Sequence, residues 1–320
     1  MKRSSFFVKL GRVIQKLPLF RFRFIERYFL KEKRDESHPI PAIIIFALPR
    51  SGSTVTYQTI CHGFQVNYLS NIWNLFFQLP LFGGLLSFYI SRFHKSDFLS
   101  NYGFVGGLDG PAEGMKFWQW WLDCGLRDED CNILPPKLRL ERSSYLRKVL
   151  ISLYSSTNMP FVTAYLGHIL LPDRVYNTFH EAVFIRLKRE PALNALSLLK
   201  SIRDSGSDWF SVRPNECSDL INRDAYQRVA SQVYWLNRRL DDADCADSMF
   251  TVEYEKLCED PEKQIERFLD WCTDRGLKIC RKHAMPASLM IKNPEPEDNY
   301  DLNKIRAELK KLEMNHGKLK

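Results

Sequence analysis

Arg50-Ser51-Gly52-Ser53-Thr54 is the densest run of anion-binding chemistry in the chain. A guanidinium, several hydroxyls and a glycine that lets the backbone approach a ligand stand side by side. If a helix starts here, its free N–H groups and its dipole converge on the same point. Such a loop is built to hold phosphate. It is not the Walker loop of kinases and ATPases, which needs a glycine four residues ahead of a Gly-Lys pair. Neither that glycine nor the lysine is present.

A strand must deliver this loop and a helix must leave it. Ile43-Ile44-Ile45-Phe46-Ala47 is apolar and largely β-branched, as in a buried strand, and Pro49 ends it. Thr54 to Ile60 reads as the first turns of a helix. Ala182 to Leu187 predicts a second strand, followed by Lys188-Arg189-Glu190-Pro191 and a helix that reaches Ser197. Val252 to Leu257 leads through Asp260-Pro261 into an amphipathic helix, Ile265 to Cys272. The expected fold is an α/β three-layer sandwich, with a central, mainly parallel sheet and helices on both faces. Its strands fall near 42–47, 160–164, 182–187 and 249–253, with a short one within Gln65 to Ser70. The loop then lies at the C-terminal edge of the first strand, where open α/β sheets bind ligands.

The loop resembles the 5′-phosphate loop of sulfotransferases that use PAPS (3′-phosphoadenosine 5′-phosphosulfate), written R/K-S-G-[ST]-[ST]. Arg189 and Ser197 are similar to that family's 3′-phosphate pattern, R-[DEN]-P-x-x-x-x-x-S, and Val252-Glu253-Tyr254-Glu255-Lys256-Leu257 with Asp260-Pro261 resembles its V-x-Y-E-x-L-x-x-D-P segment. The segments stand in family order between Ile43 and Cys272. The resemblance implies a P-loop-like fold and transfer of a sulfuryl group from PAPS to a hydroxyl or amine, with no metal. It implies that Arg50, Ser51, Gly52, Ser53 and Thr54 bind the 5′ side of the cofactor, with Arg50 also catalytic, and that Arg189 and Ser197 bind its 3′-phosphate. An arginine just past a strand and a serine two turns into the next helix can face one phosphate.

The chain departs from that pattern in two places. Many carbohydrate and protein sulfotransferases carry a glutamate about twenty residues past the loop arginine; Tyr68 to Ile72 holds no carboxylate. Relatives also commonly carry a lysine in the strand where Ala164 or a neighbour stands here. The general base is therefore sought in Glu113 first, His168 second and His62 third. Glu113 also suits a capping position early in a helix opened by Pro111, and His168 also suits a core or capping role.

The net charge of +8 is unevenly placed. Met1 to Arg34 holds eleven Lys/Arg against two acids, so the remaining body is close to neutral. The chain reads as a basic amphipathic arm over 1–38, a sulfotransferase domain over 39–292 and a charged tail over 293–320. Phe6, Leu10, Val13, Ile14 and Leu17 share one helical face, and Phe20, Phe24, Ile25, Tyr28 and Phe29 continue it after Pro18. That face either packs on the domain, as apolar faces usually do, or lies on anionic lipid. No secretory signal is expected. The eight scattered cysteines suit reduced thiols in a cytoplasmic protein, peripheral on a membrane if the arm binds one. The apolar stretch from Asn71 to Ile90 is interrupted by Pro80 and Gly83-Gly84, and reads as a buried helical hairpin or an acceptor-pocket wall. Phe117-Trp118-Gln119-Trp120-Trp121 reads as core or as a wall for stacking sugar rings. The acceptor is expected to be a glycan, lipid or glycolipid, and no nucleic acid is implied. Two other readings share the loop: a small-molecule kinase, and a non-catalytic nucleotide-binding protein at a membrane surface.

Overall fold

The computed structural model describes residues 11, 13–30, 40–93, 100–101, 104–105, 107–285, 288–289 and 299–319. Phe6 and Leu10 of the predicted arm face lie outside the described residues.

Five parallel strands form the central sheet: β1 Ala42–Ala47, β2 Asn67–Tyr68, β5 Phe161–Thr163, β6 Val183–Lys188 and β7 Met249–Glu253, in the order β2-β5-β1-β6-β7. A separate antiparallel pair joins β3 Ser100–Asn101 to β4 Phe104–Val105. The expected strands are present, with bounds shifted by a residue or so. Every residue of β1 is buried, because it is central and covered on both faces. The chain leaves β1 towards β2 and β5 on one side of the sheet, and later passes from β6 to β7 on the other. Right-handed crossovers then place the connecting helices on opposite faces.

This order makes the gap between β1 and β6 the switch point of the sheet. Register does the rest. Ala47 stands opposite Leu187, and Leu187 opposite Val252. The residues that follow, Leu48 to Gly52, Arg189 to Pro191 and Tyr254-Glu255, therefore emerge side by side at one edge. An ion pair buried between sheet and helix holds this region: Arg186 of β6 donates to Asp241 at 2.7 Å.

The helices begin where their chemistry dictates. Glu190 accepts from the Leu193 N–H at 2.6 Å as N-cap of helix Pro191–Ser205, and Asp260 caps helix Pro261–Asp274 in the same way, each with proline at N1. Helices Asn71–Leu75 and Pro80–Phe93 form the expected hairpin, with Ile72, Trp73, Phe77 and Leu81 in the core. Trp118 and Trp121 are fully buried, so they are core and not a sugar-stacking wall. Within the charged tail, Tyr300–His316 forms a helix with Leu302, Ile305 and Leu309 buried. Among the described residues, no helix is long and apolar enough to cross a membrane.

Candidate active site

The loop after β1 turns twice through the left-handed region, at Arg50 with φ of 65° and at Gly52 with φ of 95°. Gly52 is the N-cap of helix Ser53–Gly63 and supplies no side-chain cap, so the first N–H groups of that helix remain for a ligand. Ser51 is buried and donates its hydroxyl to the Leu48 carbonyl at 2.7 Å. It shapes the loop from below. Asn194 ties the loop down as well, donating to the Pro49 carbonyl at 2.8 Å.

Gly52 is required for a second reason. A Cβ there would overlap the ring of Tyr254, with ring carbon Cγ only 3.1 Å away. Tyr254 thus packs flat against the loop, and the Arg189 guanidinium lies 5.1 Å from the same ring. Arg189 Nη1 donates to the Arg50 carbonyl at 2.7 Å. Its Nε is buried with no hydrogen-bond partner, and the Glu255 carboxylate is 4.0 Å off. The Arg50 guanidinium turns towards helix Pro191–Ser205, its Nε donating to Ser197 Oγ at 3.3 Å. Arg50, Gly52, Arg189 and Ser197, drawn from distant parts of the chain, therefore form one cluster.

Those groups fit a 3′,5′-bisphosphate. An unmatched buried guanidinium N–H is a donor awaiting an acceptor, and the side-chain-free face of Gly52 leaves its helix N-terminus open to an anion. Two guanidiniums, one of them unable to rotate away because it is bonded to the loop itself, suit bidentate phosphate contact.

Glu113 lies beside this cluster. A hollow is lined by Ser53, Thr54, Tyr57, Gln58, Pro111, Ala112, Glu113 and Ala164. Glu113 keeps solvent-exposed surface yet has protein packed around most of it, and that desolvation pushes its carboxyl up to about 7. It is not a helix-capping residue. Pro111 pairs with Ser70 as a β-bridge and the Ala112 N–H donates to the Leu69 carbonyl at 2.7 Å, so the chain is strapped to β2's extension until Gly114 turns it into helix Met115–Leu122. Gln58 Nε2, a buried donor without a partner, lines the same hollow.

The two histidines stand elsewhere. His168 has no accessible surface, and its ring sits 4.4 Å from Trp118 and 5.3 Å from Tyr165. Neither ring nitrogen has a partner, and burial pushes its pKa down to about 3. A base must reach the acceptor hydroxyl, and this ring is walled off from the loop by core aromatics. His62 stacks on His283 at 4.7 Å near the far end of helix Ser53–Gly63, roughly 14 Å along the helix from Ser53 at 1.5 Å per residue.

Tyr254, Asn194 and Gln58 are the participants that motif reading left without a role. Gln58 had a usable signal, because it shares a helix face with Thr54 at i,i+4. Tyr254 stands in the V-x-Y-E-x-L-x-x-D-P segment, but its contact with Gly52 depends on the order of the strands.

A model of the sulfotransferase family matches residues 41–274, which is most of the chain. No curated protein matches the sequence. Among solved structures, sulfotransferase STF9 from Mycobacterium avium aligns with a TM-score of 0.50 at 15% identity, over 95% of this chain and 74% of that one. Sulfotransferase STF1 from Mycobacterium tuberculosis H37Rv aligns with a TM-score of 0.47 at 13% identity, over 84% of this chain and 74% of that one. At such identities the likeness to STF9 is one of fold: a five-stranded parallel sheet flanked by helices. The assignment rests on the family match, which takes in the loop, Arg189, Ser197 and Tyr254: the chain belongs to the sulfotransferase family.

Proposed function

We propose that this sulfotransferase takes its sulfuryl group from PAPS and passes it to a hydroxyl of a glycan or glycolipid acceptor, with Glu113 as general base. The observation that carries this reading is the meeting of Arg50, Gly52, Arg189 and Ser197 at the β1–β6 switch point, next to the hollow that contains Glu113. PAPS supplies the sulfuryl group and departs as adenosine 3′,5′-bisphosphate.

The N–H groups at the start of helix Ser53–Gly63 hold the 5′ side of the donor and neutralise charge that builds towards the leaving phosphate. Thr54 adds a hydroxyl at the border of the hollow. Arg189 and Ser197 hold the 3′-phosphate, and Arg50, already bonded to Ser197, bridges the two ends. That contact discriminates PAPS from ATP. Glu113, poised near neutrality, takes the proton of the acceptor hydroxyl as its oxygen bonds to sulfur. Ala164 lines the hollow, so the strand position that commonly offers a lysine supplies no cation here. The family membership favours sulfuryl transfer over the kinase reading.

A thermal-shift titration with adenosine 3′,5′-bisphosphate against ATP–magnesium tests the donor. A ligand at a hundred times its dissociation constant adds roughly 2.7 kcal/mol of stability. The bisphosphate should raise the melting temperature of wild type and leave Arg189→Ala unmoved. Stabilisation by ATP–magnesium alone would refute the assignment.

A further inference from the structure

The segment before β1 packs on the body the wrong way round for an ordinary surface helix. Leu30 at its end is buried in the core, but the inward contacts of the helix before it are largely polar. Glu26 is buried, its two carboxylate oxygens accepting from the Phe82 N–H at 2.8 Å and the Tyr145 hydroxyl at 2.7 Å. The Phe20 N–H donates to Gln78 at 2.9 Å, and the Arg23 guanidinium lies over the rings of Trp121 and Tyr145. The outward side of helix Arg23–Phe29 is apolar: Phe24 is 68% exposed and Tyr28 85%, with Phe22, Ile25 and Phe29 also in the open. Phe82 and Tyr89, seven residues apart on helix Pro80–Phe93, are also exposed, and that helix is joined to helix Arg23–Phe29 by the bond from the Phe82 N–H to Glu26. Monomeric soluble proteins rarely leave so many large apolar side chains together in water.

Charge identifies the occupant. Lys16, Arg21 and Arg27 of the same segment are exposed. Glu26, the carboxylate that would offset them, is withdrawn into the protein. Aromatic rings interleaved with cations are the composition of a segment lying in the headgroup region of an anionic bilayer. A second copy of the chain would bring like charges together, which opposes association through this face. The platform is also fastened to the active site. Ser87 of helix Pro80–Phe93 bonds Ser70 at 2.7 Å, and Ser70 pairs with Pro111 two residues before Glu113.

We propose that the outward face of helix Arg23–Phe29, together with Phe82 and Tyr89, docks the enzyme on an anionic lipid bilayer. This docking surface is independent of the donor assignment. Full-length protein is floated with phosphatidylcholine vesicles that contain or lack phosphatidylglycerol. Association is expected only with the anionic vesicles and weakens as salt rises. Replacing Lys16, Arg21 and Arg27 by Gln lowers the partition coefficient about a hundredfold, at roughly fivefold per cation. The variant Phe24→Ser/Tyr28→Ser/Phe29→Ser should not float at all. Both variants alter exposed side chains, and an unchanged melting temperature and far-UV circular dichroism spectrum show that they are folded. The proposal is overturned if anionic vesicles do not carry the wild type, or if both variants float as it does. It is equally overturned if light scattering shows a dimer that the serine variant dissolves, since the face then belongs to a second copy.

Discussion

Gly52→Ala isolates the contact on which the donor site is built. Gly52 sits at φ 95°, ψ 12°, where a side chain costs about 1–3 kcal/mol in backbone strain. Its new methyl would also overlap Tyr254, whose ring lies across the glycine. Forcing that ring aside is overpacking, which costs about a further 1–3 kcal/mol. The two together amount to about 2–6 kcal/mol, a large share of the roughly 5–15 kcal/mol that holds a typical domain folded. Equilibrium urea unfolding measures the loss as a lower midpoint at unchanged slope. A double-mutant cycle separates the terms. In a Tyr254→Ala background the ring is gone, so Gly52→Ala should cost only the strain, and the coupling energy should be about 1–3 kcal/mol. Because Arg189 rests on the displaced ring, stabilisation by the bisphosphate should fall in Gly52→Ala as well. An equal cost of Gly52→Ala in both backgrounds would refute the argument, for it would mean that Tyr254 does not set the space above the loop.

Two further outcomes follow from desolvated titrating groups. With its carboxyl held near 7, Glu113 gains its active, deprotonated form as pH rises, so kcat/KM should climb through neutrality. Glu113→Gln should lose that limb and about 10²–10⁴ in rate, and a variant that kept the limb would remove Glu113 as base. His168 is held neutral in the fold, with a folded pKa depressed to about 3 against an ordinary 6.5. Its contribution to stability is present above 6.5 and is lost as pH falls, because the unfolded chain takes up the proton first, at up to about 1.4 kcal/mol per pH unit. His168→Leu should flatten this acid dependence and leave turnover intact, as chemical denaturation across pH and a turnover assay would show; a large loss of turnover would put the ring back in the chemistry.

The sequence by itself determined the main elements and the family-like segments. Ile43 to Ala47 reads as a buried strand from its β-branched run, Gly52 and the following hydroxyl residues suit a helix start, and the Glu190-Pro191 and Asp260-Pro261 pairs mark helix starts through a side-chain cap and a fixed φ. These are local properties, carried by neighbours in the chain. The base was legible only as a choice. Glu113 and His168 are each single titratable residues, and nothing local distinguishes a hollow beside the loop from a closed aromatic box. Tertiary structure gives them different surroundings, because strand order placed β5 and the strap to Leu69 next to the loop while Trp118 and Tyr165 closed over His168, and that difference is what supports the proposal of Glu113 as base. The same holds for the arm. Periodicity showed an apolar face and a basic one, but which of them turns inward was decided by Glu26, whose burial needed the Phe82 N–H and the Tyr145 hydroxyl, 56 and 119 residues away.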